Sequence, residues 1–247
     1  MKNLVMLDLG SNSTRMSINQ VDDKGNFTEV KRMKQMTRMA EGMGASGTKK
    51  LEDKAIERTL NALRDFQKEY QNMPNLTVRG IATAAVRSAE NSLEFLERVK
   101  ELTGVDIEVL SGSAEAYYDY VGVINSLNVR DCVICDMGGG SFELAVVVDK
   151  EAVSYVSIPY GAVSLAEKFN AHDKISAQDL FKFYRFVLYK DRKERADILG
   201  PEAERADIII AGLSPIMFLI EYLQTPEIIF SESGVREGVL YSMLKRK

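Results

Sequence analysis

Apolar runs of strand length and apolar positions of helical spacing alternate along this chain, separated by short polar turns. In the first half this pattern predicts three strands, a long helix, and then alternating strands and helices. The long helix, Glu52–Tyr70, has apolar side chains on one face, for example Ile56, Leu60 and Leu63. The predicted strands are Leu4–Leu9, Arg15–Val21, Asn26–Met36, Thr77–Ala82 and Asp106–Leu110, and the later helices are Ser92–Thr103 and Ala114–Leu127.

The second half repeats nearly the same order of elements. Its predicted strands are Asp131–Asp136, Phe142–Val148, Ala152–Ile158 and Glu227–Phe230, and its predicted helices are Ala162–Phe169, Ala177–Tyr189, Ile208–Leu223 and Val235–Leu244. A counterpart of the Thr77–Ala82 strand is missing between Phe169 and Ile175. This internal repeat predicts an α/β protein of two lobes, residues 1–126 and 127–247. Their mixed sheets would flank a central cleft, and the second lobe would lack one strand.

Two segments at corresponding places in the halves share one pattern: a buried strand, an Asp, and a turn rich in Gly and Ser. The first turn has Gly10, Ser11, Asn12 and Ser13 after Asp8, and the second has Gly138, Gly139, Gly140 and Ser141 after Asp136. The backbone N–H groups of such turns suit phosphate oxygens, and an Asp at a strand end can hold a hydrated divalent cation. We expect the two turns to face each other and to clamp a phosphate chain.

Glu115 lies in the first turn of a predicted helix, at the same edge of the sheet as Asp8. A carboxylate in this place can activate water for attack on a phosphoryl group. It can equally complement the dipole of the helix, which is a common use of Glu. The spacing of the residues leaves both roles open.

Four other charged residues also have two interpretations. Arg87 is predicted to end the strand that begins at Thr77, where it can neutralise phosphate or lie on the surface. Glu143 follows the second Gly turn and either supports a metal or lies on the exposed face of a strand. Arg236 and Glu237 open the last helix, where capping and packing between the lobes are as well supported as ligand binding.

Composition and charge narrow the class of protein. The 247 residues are 45% hydrophobic and 28% charged, as in ordinary soluble proteins. No apolar run is long enough to span a membrane, and the first residues do not resemble a secretory signal. We therefore expect a cytoplasmic protein. The net charge of −4 argues against a general nucleic-acid binder.

Cysteine and histidine are too few for several kinds of site. Cys132 and Cys135 are three residues apart on a predicted strand, so their side chains point to opposite faces and cannot easily share a metal or form a disulfide. We expect both to be buried and structural. The one histidine, His172, has no triad motif around it, and a metal site of several histidines is excluded.

Seven blocks, in order along nearly the whole chain, together resemble one family. They are Asp8–Ser13, Ile81–Arg87, Ser111–Ala116, Asp136–Leu144, Gly161–Leu165, Arg205–Ile209 and Ser233–Leu240. They resemble the exopolyphosphatase/guanosine-pentaphosphate phosphatase family, within the actin-like, sugar-kinase and Hsp70-type ATPase superfamily. The resemblance implies two actin-like (ribonuclease H-like) lobes with the active site in the cleft.

The resemblance also implies a Mg²⁺-assisted hydrolase that releases terminal phosphate from polyphosphate or guanosine pentaphosphate. In the family, the second Glu of the third block activates the attacking water, and that position is Glu115 in this chain. The two Gly turns would be the phosphate loops, and Arg87 would contact phosphate. Asp8, Asp136 and Glu143 would form the metal side of the site.

Two departures from the family pattern leave other functions open. Ala114 stands where the family has the first Glu of a pair, and the strand missing between Asn170 and Lys174 carries a Gly-Gly-Thr turn in family members. One alternative is a sensor that binds phosphate, polyphosphate or a nucleotide without hydrolysing it, and another is an ATP-using kinase or ATPase. The sheet edge left by the absent strand is a candidate homodimer surface.

Overall fold

The first strand of the chain, β1 (Lys2–Leu9), lies at the centre of a five-stranded sheet. The computed structural model describes residues 1–43, 49–163, 189–224 and 229–245, apart from the side chains of residues 198–202 and 245. Within these ranges the strands form two sheets, and the helices pack beside and between them.

The first sheet has the order β3-β2-β1-β4-β5. Strands β2 (Thr14–Val21) and β3 (Phe27–Gln35) continue antiparallel from β1. On the other side of β1, strands β4 (Leu76–Ala82) and β5 (Ile107–Val109) are parallel to it and follow helical connections. The carboxyl ends of β1, β4 and β5 therefore share one edge of this sheet.

The second sheet is an antiparallel meander. It consists of β6 (Cys132–Met137), β7 (Phe142–Val148) and β8 (Glu151–Ile158), in that order. The helices are α1 (Asp53–Tyr70), α2 (Ala84–Ser88), α3 (Ser92–Thr103), α4 (Gly112–Ser126), α5 (Arg192–Leu199), α6 (Ile209–Leu223) and α7 (Val235–Lys245), with a 3₁₀ helix at Gly200–Arg205.

Side chains alternate between the two faces of β1, because successive residues of a strand point in opposite directions. Val5, Leu7 and Leu9 pack on one face in a buried cluster with apolar residues of α1 and α3. Leu4 and Met6 pack on the other face with residues of α7 such as Val239 and Leu240. Each large apolar side chain buried in this way contributes about 1.5–3 kcal/mol.

Helices α4 and α7 form a middle layer between the two sheets. One side of α4 contacts the second sheet, where Val123 is buried with Ile134 and Val147. Its other side packs closely on α7: a Cβ added at Gly238 would lie 1.9 Å from the carbonyl oxygen of Tyr118. Only a residue without a side chain lets the two helices approach so closely.

The predicted elements that lie wholly within the described residues are present, with ends that agree within two residues. The pattern missed α2, α5 and the 3₁₀ helix. Ile229 and Phe230 are not in a strand, and residues 227 and 228 of that predicted strand lie outside the described residues. So do most of the helix predicted from Ala162, all but the last residue of the helix predicted from Ala177, the missing strand and His172.

The cysteine prediction is half wrong. Cys132 and Cys135 point to opposite faces of β6, but Cys135 is exposed and Cys132 is only partly buried. The face of the second sheet that carries Cys135 also exposes Val133 and Val146. In the described part of the chain, no helix is both long and apolar enough to cross a lipid bilayer.

Candidate active site

Acidic side chains from both sheets point into the middle layer. Asp8 is on the face of β1 that also carries Leu4 and Met6. Asp136 and Glu143 are directly opposite each other on β6 and β7, on the face that packs against α4. The alternation of the strands thus brings the three predicted metal-side residues to one layer of the protein.

Helix α4 supplies two more carboxylates. Its N-terminus is fixed by Ser111, whose Oγ accepts a hydrogen bond of 3.1 Å from the backbone N–H of Ala114. Glu115 is 6% exposed and Asp119 is 1% exposed. They are four residues apart and therefore share one face of the helix. That face points toward Asp136 and Glu143. Burial, followed by the charges of these two residues, raises the pKa of Asp119.

Arg87 holds Glu115. The prediction that Arg87 ends strand β4 is wrong, because the strand stops at Ala82 and Arg87 lies on the short helix α2. From there its Nη1 donates to the carbonyl oxygen of Leu110 and to Oε2 of Glu115, both at 2.8 Å. The side chain of Arg87 is 25% exposed, so it reaches the site from the protein surface.

Glu143 is not on an exposed face of its strand. It is 2% exposed, and its Oε1 accepts a hydrogen bond of 2.7 Å from Oγ of Ser157 on β8. Ser141, at the end of the second Gly turn, also donates to it. Ser157 in turn touches the start of α4, since a Cβ added at Gly112 would lie 2.6 Å from its Cβ.

The two Gly turns touch each other. A Cβ added at Gly139 would lie 3.1 Å from the backbone nitrogen of Asn12, and one added at Gly140 would lie 2.6 Å from Oγ of Ser11. Ser11 itself is anchored to the start of α2, where its Oγ accepts from the backbone N–H of Ala85 at 3.1 Å. In this conformation the two turns are therefore in direct contact.

The remaining residues of the two turns are held by backbone contacts. In the first turn, the N–H of Gly10 donates to the carbonyl oxygen of Ser13 at 3.1 Å. In the second turn, the carbonyl oxygens of Gly138 and Gly139 each accept at 2.9 Å from the start of the following segment, at Ala162 and Val163.

Burial dominates the electrostatics of the site. Loss of solvent, followed by the nearby charge of Glu143, raises the pKa of Glu115 to about 8, although Arg87 opposes the shift. Burial is also the largest cause that raises the pKa values of Asp8, Asp119, Asp136 and Glu143. A site with this many raised carboxyl pKa values attracts either protons or cations.

Two further arginines bring positive charge to the layer. Burial raises the pKa values of Asp8 and Asp136, and the charge of Arg15 opposes this rise in both. Arg236 is 5% exposed and lowers the pKa of Asp8, while its Nη2 donates to Oε1 of Glu237 at 2.7 Å. The other oxygen of Glu237 accepts from the backbone N–H of Gly234 at 3.1 Å, which supports the capping role.

The donor set suits a hard divalent cation with few protein ligands. Among the described residues, no three acidic, histidine or cysteine side chains come together around one ion position, so Asp8, Asp136 and Glu143 do not form one cage. Mg²⁺ commonly takes only one or two carboxylates and completes its shell with water and phosphate oxygens. The site has more buried carboxylates than positively charged side chains, and it lies beside two turns rich in Gly. This combination fits a Mg²⁺ ion that has few protein ligands.

Sequence reasoning missed Asp119, Ser157 and Arg15. Asp119 had a readable signal, because it lies four residues after Glu115 on an otherwise apolar helix face. Ser157 and Arg15 had none, since β8 and β2 place them by strand pairing with partners that only the fold defines.

Comparison with solved structures agrees with this architecture. The exopolyphosphatase from Cytophaga hutchinsonii superposes with a TM-score of 0.81 at 20% sequence identity, covering 98% of this chain and 98% of that chain. A Ppx/GppA family member from Aquifex aeolicus superposes with a TM-score of 0.75 at 25% identity, covering 98% and 97%. The protein therefore has the actin-like ATPase fold.

A sequence profile of the Ppx/GppA phosphatase family matches residues 17–187 and 170–247. Together these matches include nearly the whole chain. The chain belongs to the Ppx/GppA phosphatase family, and its family and neighbours indicate a hydrolase of the phosphatase class.

Proposed function

We propose that this protein releases the terminal phosphate of polyphosphate or of guanosine pentaphosphate by attack of water, with Mg²⁺ as cofactor. The observation that carries the proposal is Glu115, a buried carboxylate held by Arg87 and facing Glu143 beside the two Gly turns. Phosphoryl transfer requires an oriented water and compensation of phosphate charge, and the residues of this site match those needs.

Glu115 is the general base of the proposed reaction. Its pKa of about 8 places the carboxyl close to neutral pH, where a base both ionises and accepts a proton effectively. Arg87 orients the carboxylate and favours its charged form. The proton of the attacking water passes to Glu115, the new P–O bond forms, and the terminal P–O bond of the anhydride breaks.

The two Gly turns are the proposed phosphate loops. They touch in the present conformation, so a phosphate chain enters only when they separate. Asp136 and Glu143, with Asp8 nearby, are the residues proposed to hold Mg²⁺. When bound, the cation supplies positive charge that offsets the charge of the phosphates.

Phosphate release with Mg²⁺ on both substrates, measured beside Glu115→Gln, tests the proposal. We expect release by the unmodified protein and a decrease of about 10²–10⁴-fold in the variant, the usual contribution of a general base. The matched control is Glu97→Gln, at an exposed position of α3, which should retain full activity. Equal activity of Glu115→Gln and the unmodified protein would exclude Glu115 as the base.

A binding protein without turnover is the second candidate. Ala114 favours it, because this position next to the proposed base carries no carboxylate, whereas the family pattern has the first Glu of a pair there. Binding of polyphosphate without any phosphate release would support this function. The cytoplasmic location and the homodimer stay predictions.

A further inference from the structure

Asp119 is a buried carboxyl group that the proposed reaction does not use. It lies on α4, one turn after Glu115, and is 1% exposed. No N–H or O–H donor of the described residues reaches either of its two carboxyl oxygens. A buried carboxyl without a partner is costly, so its presence requires an explanation.

The surroundings of Asp119 are acidic. Its carboxyl group lies within hydrogen-bonding reach of the carboxyl group of Asp136, and Glu143 and Glu115 are its other charged neighbours. The backbone of Gly234 is also close, since a Cβ added there would lie 3.3 Å from Oδ1 of Asp119. Two ionised carboxylates in contact repel each other, so a proton or a cation must lie between them.

We propose that Asp119 and Asp136 together hold the divalent cation of this site, with Asp119 as a direct ligand. The proposal rests on the proposed function, because it completes the cation site of that reaction. The two carboxyl groups come from α4 and β6, so the cation joins the middle helix to the second sheet. The carboxylate oxygens of the two Asp residues would hold it there.

A pair of carboxylates suits Mg²⁺ better than a full protein cage does. Mg²⁺ keeps several waters and bridges to phosphate oxygens, and it typically takes one or two carboxylates from the protein. The described residues offer this arrangement and no group of three ligands. Glu143 lies opposite Asp136 and accepts from Ser157 at 2.7 Å through one oxygen only, so it would support the cation beside Asp136. Both oxygens of Asp119, in contrast, are free of donors.

Metal binding without substrate tests the proposal directly. Mn²⁺ serves as the probe, with free ion measured by electron paramagnetic resonance and Mg²⁺ added as competitor. We expect Asp119→Asn to weaken Mn²⁺ binding by about tenfold or more, as is usual for loss of a metal-site residue. The control is Asp106→Asn, an exposed position whose side chain is 80% exposed, and its affinity should match the unmodified protein.

Thermal unfolding with and without Mg²⁺ gives a second measure. The metal-free Asp119→Asn protein should unfold at the same temperature as the unmodified protein or higher, because a buried carboxyl without donors is removed. The stabilisation by Mg²⁺ should shrink. If the Asn variant does not fold, Asp119→Ala replaces it, with the same expected loss of affinity.

The outcomes separate this inference from the function itself. Unchanged Mn²⁺ affinity in Asp119→Asn overturns it and shows that Asp119 only shares a proton with Asp136, because an Asn amide can donate in the same way. Absence of phosphate release by the unmodified protein, with Mn²⁺ binding that depends on Asp119, counts against the hydrolase alone and leaves the cation site established.

Discussion

Arg87 and Glu115 are joined by a hydrogen bond of 2.8 Å between Nη1 and Oε2, although 28 residues separate them in the chain. Each residue comes from the first turn or two of a helix that follows a parallel strand. The parallel pairing of β4 and β5 brings these two helix starts to one edge of the first sheet. The pair therefore couples a guanidinium at the rim of the site to a carboxylate inside it.

Replacement of Arg87 should shift the pH dependence of the reaction. The guanidinium lowers the pKa of Glu115, so in Arg87→Met that pKa rises and a higher pH is needed to ionise the base. We expect the rising limb of kcat/KM against pH to move to higher pH, with lower activity at neutral pH. Arg87→Lys keeps the positive charge, so its pH profile should lie between those of Arg87→Met and the unmodified protein. Superimposable profiles for Arg87→Met and the unmodified protein would show that Arg87 does not influence the pKa of Glu115.

The metal-free protein should lose stability as the pH rises, because the carboxyl pKa values of the site are raised in the folded state. Glu115 has an ordinary value of 4.5 and a folded value of about 8. Between these values the folded state binds more protons than the unfolded state, so the free energy of unfolding falls with increasing pH. The slope is at most about 1.4 kcal/mol per pH unit for each such group.

Urea unfolding from about pH 5 to pH 9 without divalent ions measures this effect. Glu115→Gln removes one titrating group and should flatten the dependence. A free energy of unfolding that rises across this range in the unmodified protein would contradict the raised pKa values.

Gly140→Ala should weaken the contact between the two turns. The added Cβ would lie 2.6 Å from Oγ of Ser11 and 2.9 Å from Cβ of Ala84. Such overpacking typically costs about 1–3 kcal/mol, which urea unfolding measures. The control is Gly104→Ala, where φ is +69° and no atom lies within 4 Å. The control should lose about 1–2 kcal/mol through its backbone conformation and keep its phosphate release, whereas Gly140→Ala should alter both.

Arg38, in the segment that follows β3, pairs with the segment before α6. Its Nη1 donates to Oδ2 of Asp207 at 3.1 Å, and Asp207 is 8% exposed. The other oxygen of Asp207 has no donor among the described residues. Arg38→Met should therefore leave a buried carboxylate unpaired and lower the free energy of unfolding by about 1–3 kcal/mol.

The matched control for Arg38 is Arg130→Met. Arg130 pairs with Asp149, but both side chains are largely exposed, at 73% and 65%. Exposed pairs contribute about 0–1 kcal/mol, so this change should be nearly silent. Equal losses in the two variants would mean that burial of Asp207 adds nothing to the pair.

Much of the local structure could be predicted because it depends on local pattern. The face of α1 with Ile56, Leu60 and Leu63 is buried as its helical spacing indicates. Helix α2 could not be predicted in this way, because Ala84 to Val86 continue the apolar run of β4. At the start of α2, the backbone N–H of Ala85 donates to Oγ of Ser11, which follows the end of β1. This contact depends on the tertiary fold and not on the local pattern.

The candidate site was predicted as separate residues rather than as an arrangement. Asp8, Asp136, Glu143, Glu115 and the two Gly turns were all proposed from the sequence, and the structure brings them to the layer around α4. Ser157 and Arg15 were missed, because a Ser or Arg on a strand has no distinctive spacing. The exposed position of Cys135 was missed for a related reason: the pattern indicates that two faces exist, but not which one is covered.

The sequence by itself determined the strands and helices, the repeated turns and the family, because periodicity and short motifs are local properties of a chain. Only the tertiary structure decided that Asp119 lies against Asp136 and that Arg87 holds Glu115. Those relationships depend on the parallel order of β1, β4 and β5 and on the placement of α4 between the sheets. Burial then sets the charges of the site, and burial is a property of the packed molecule.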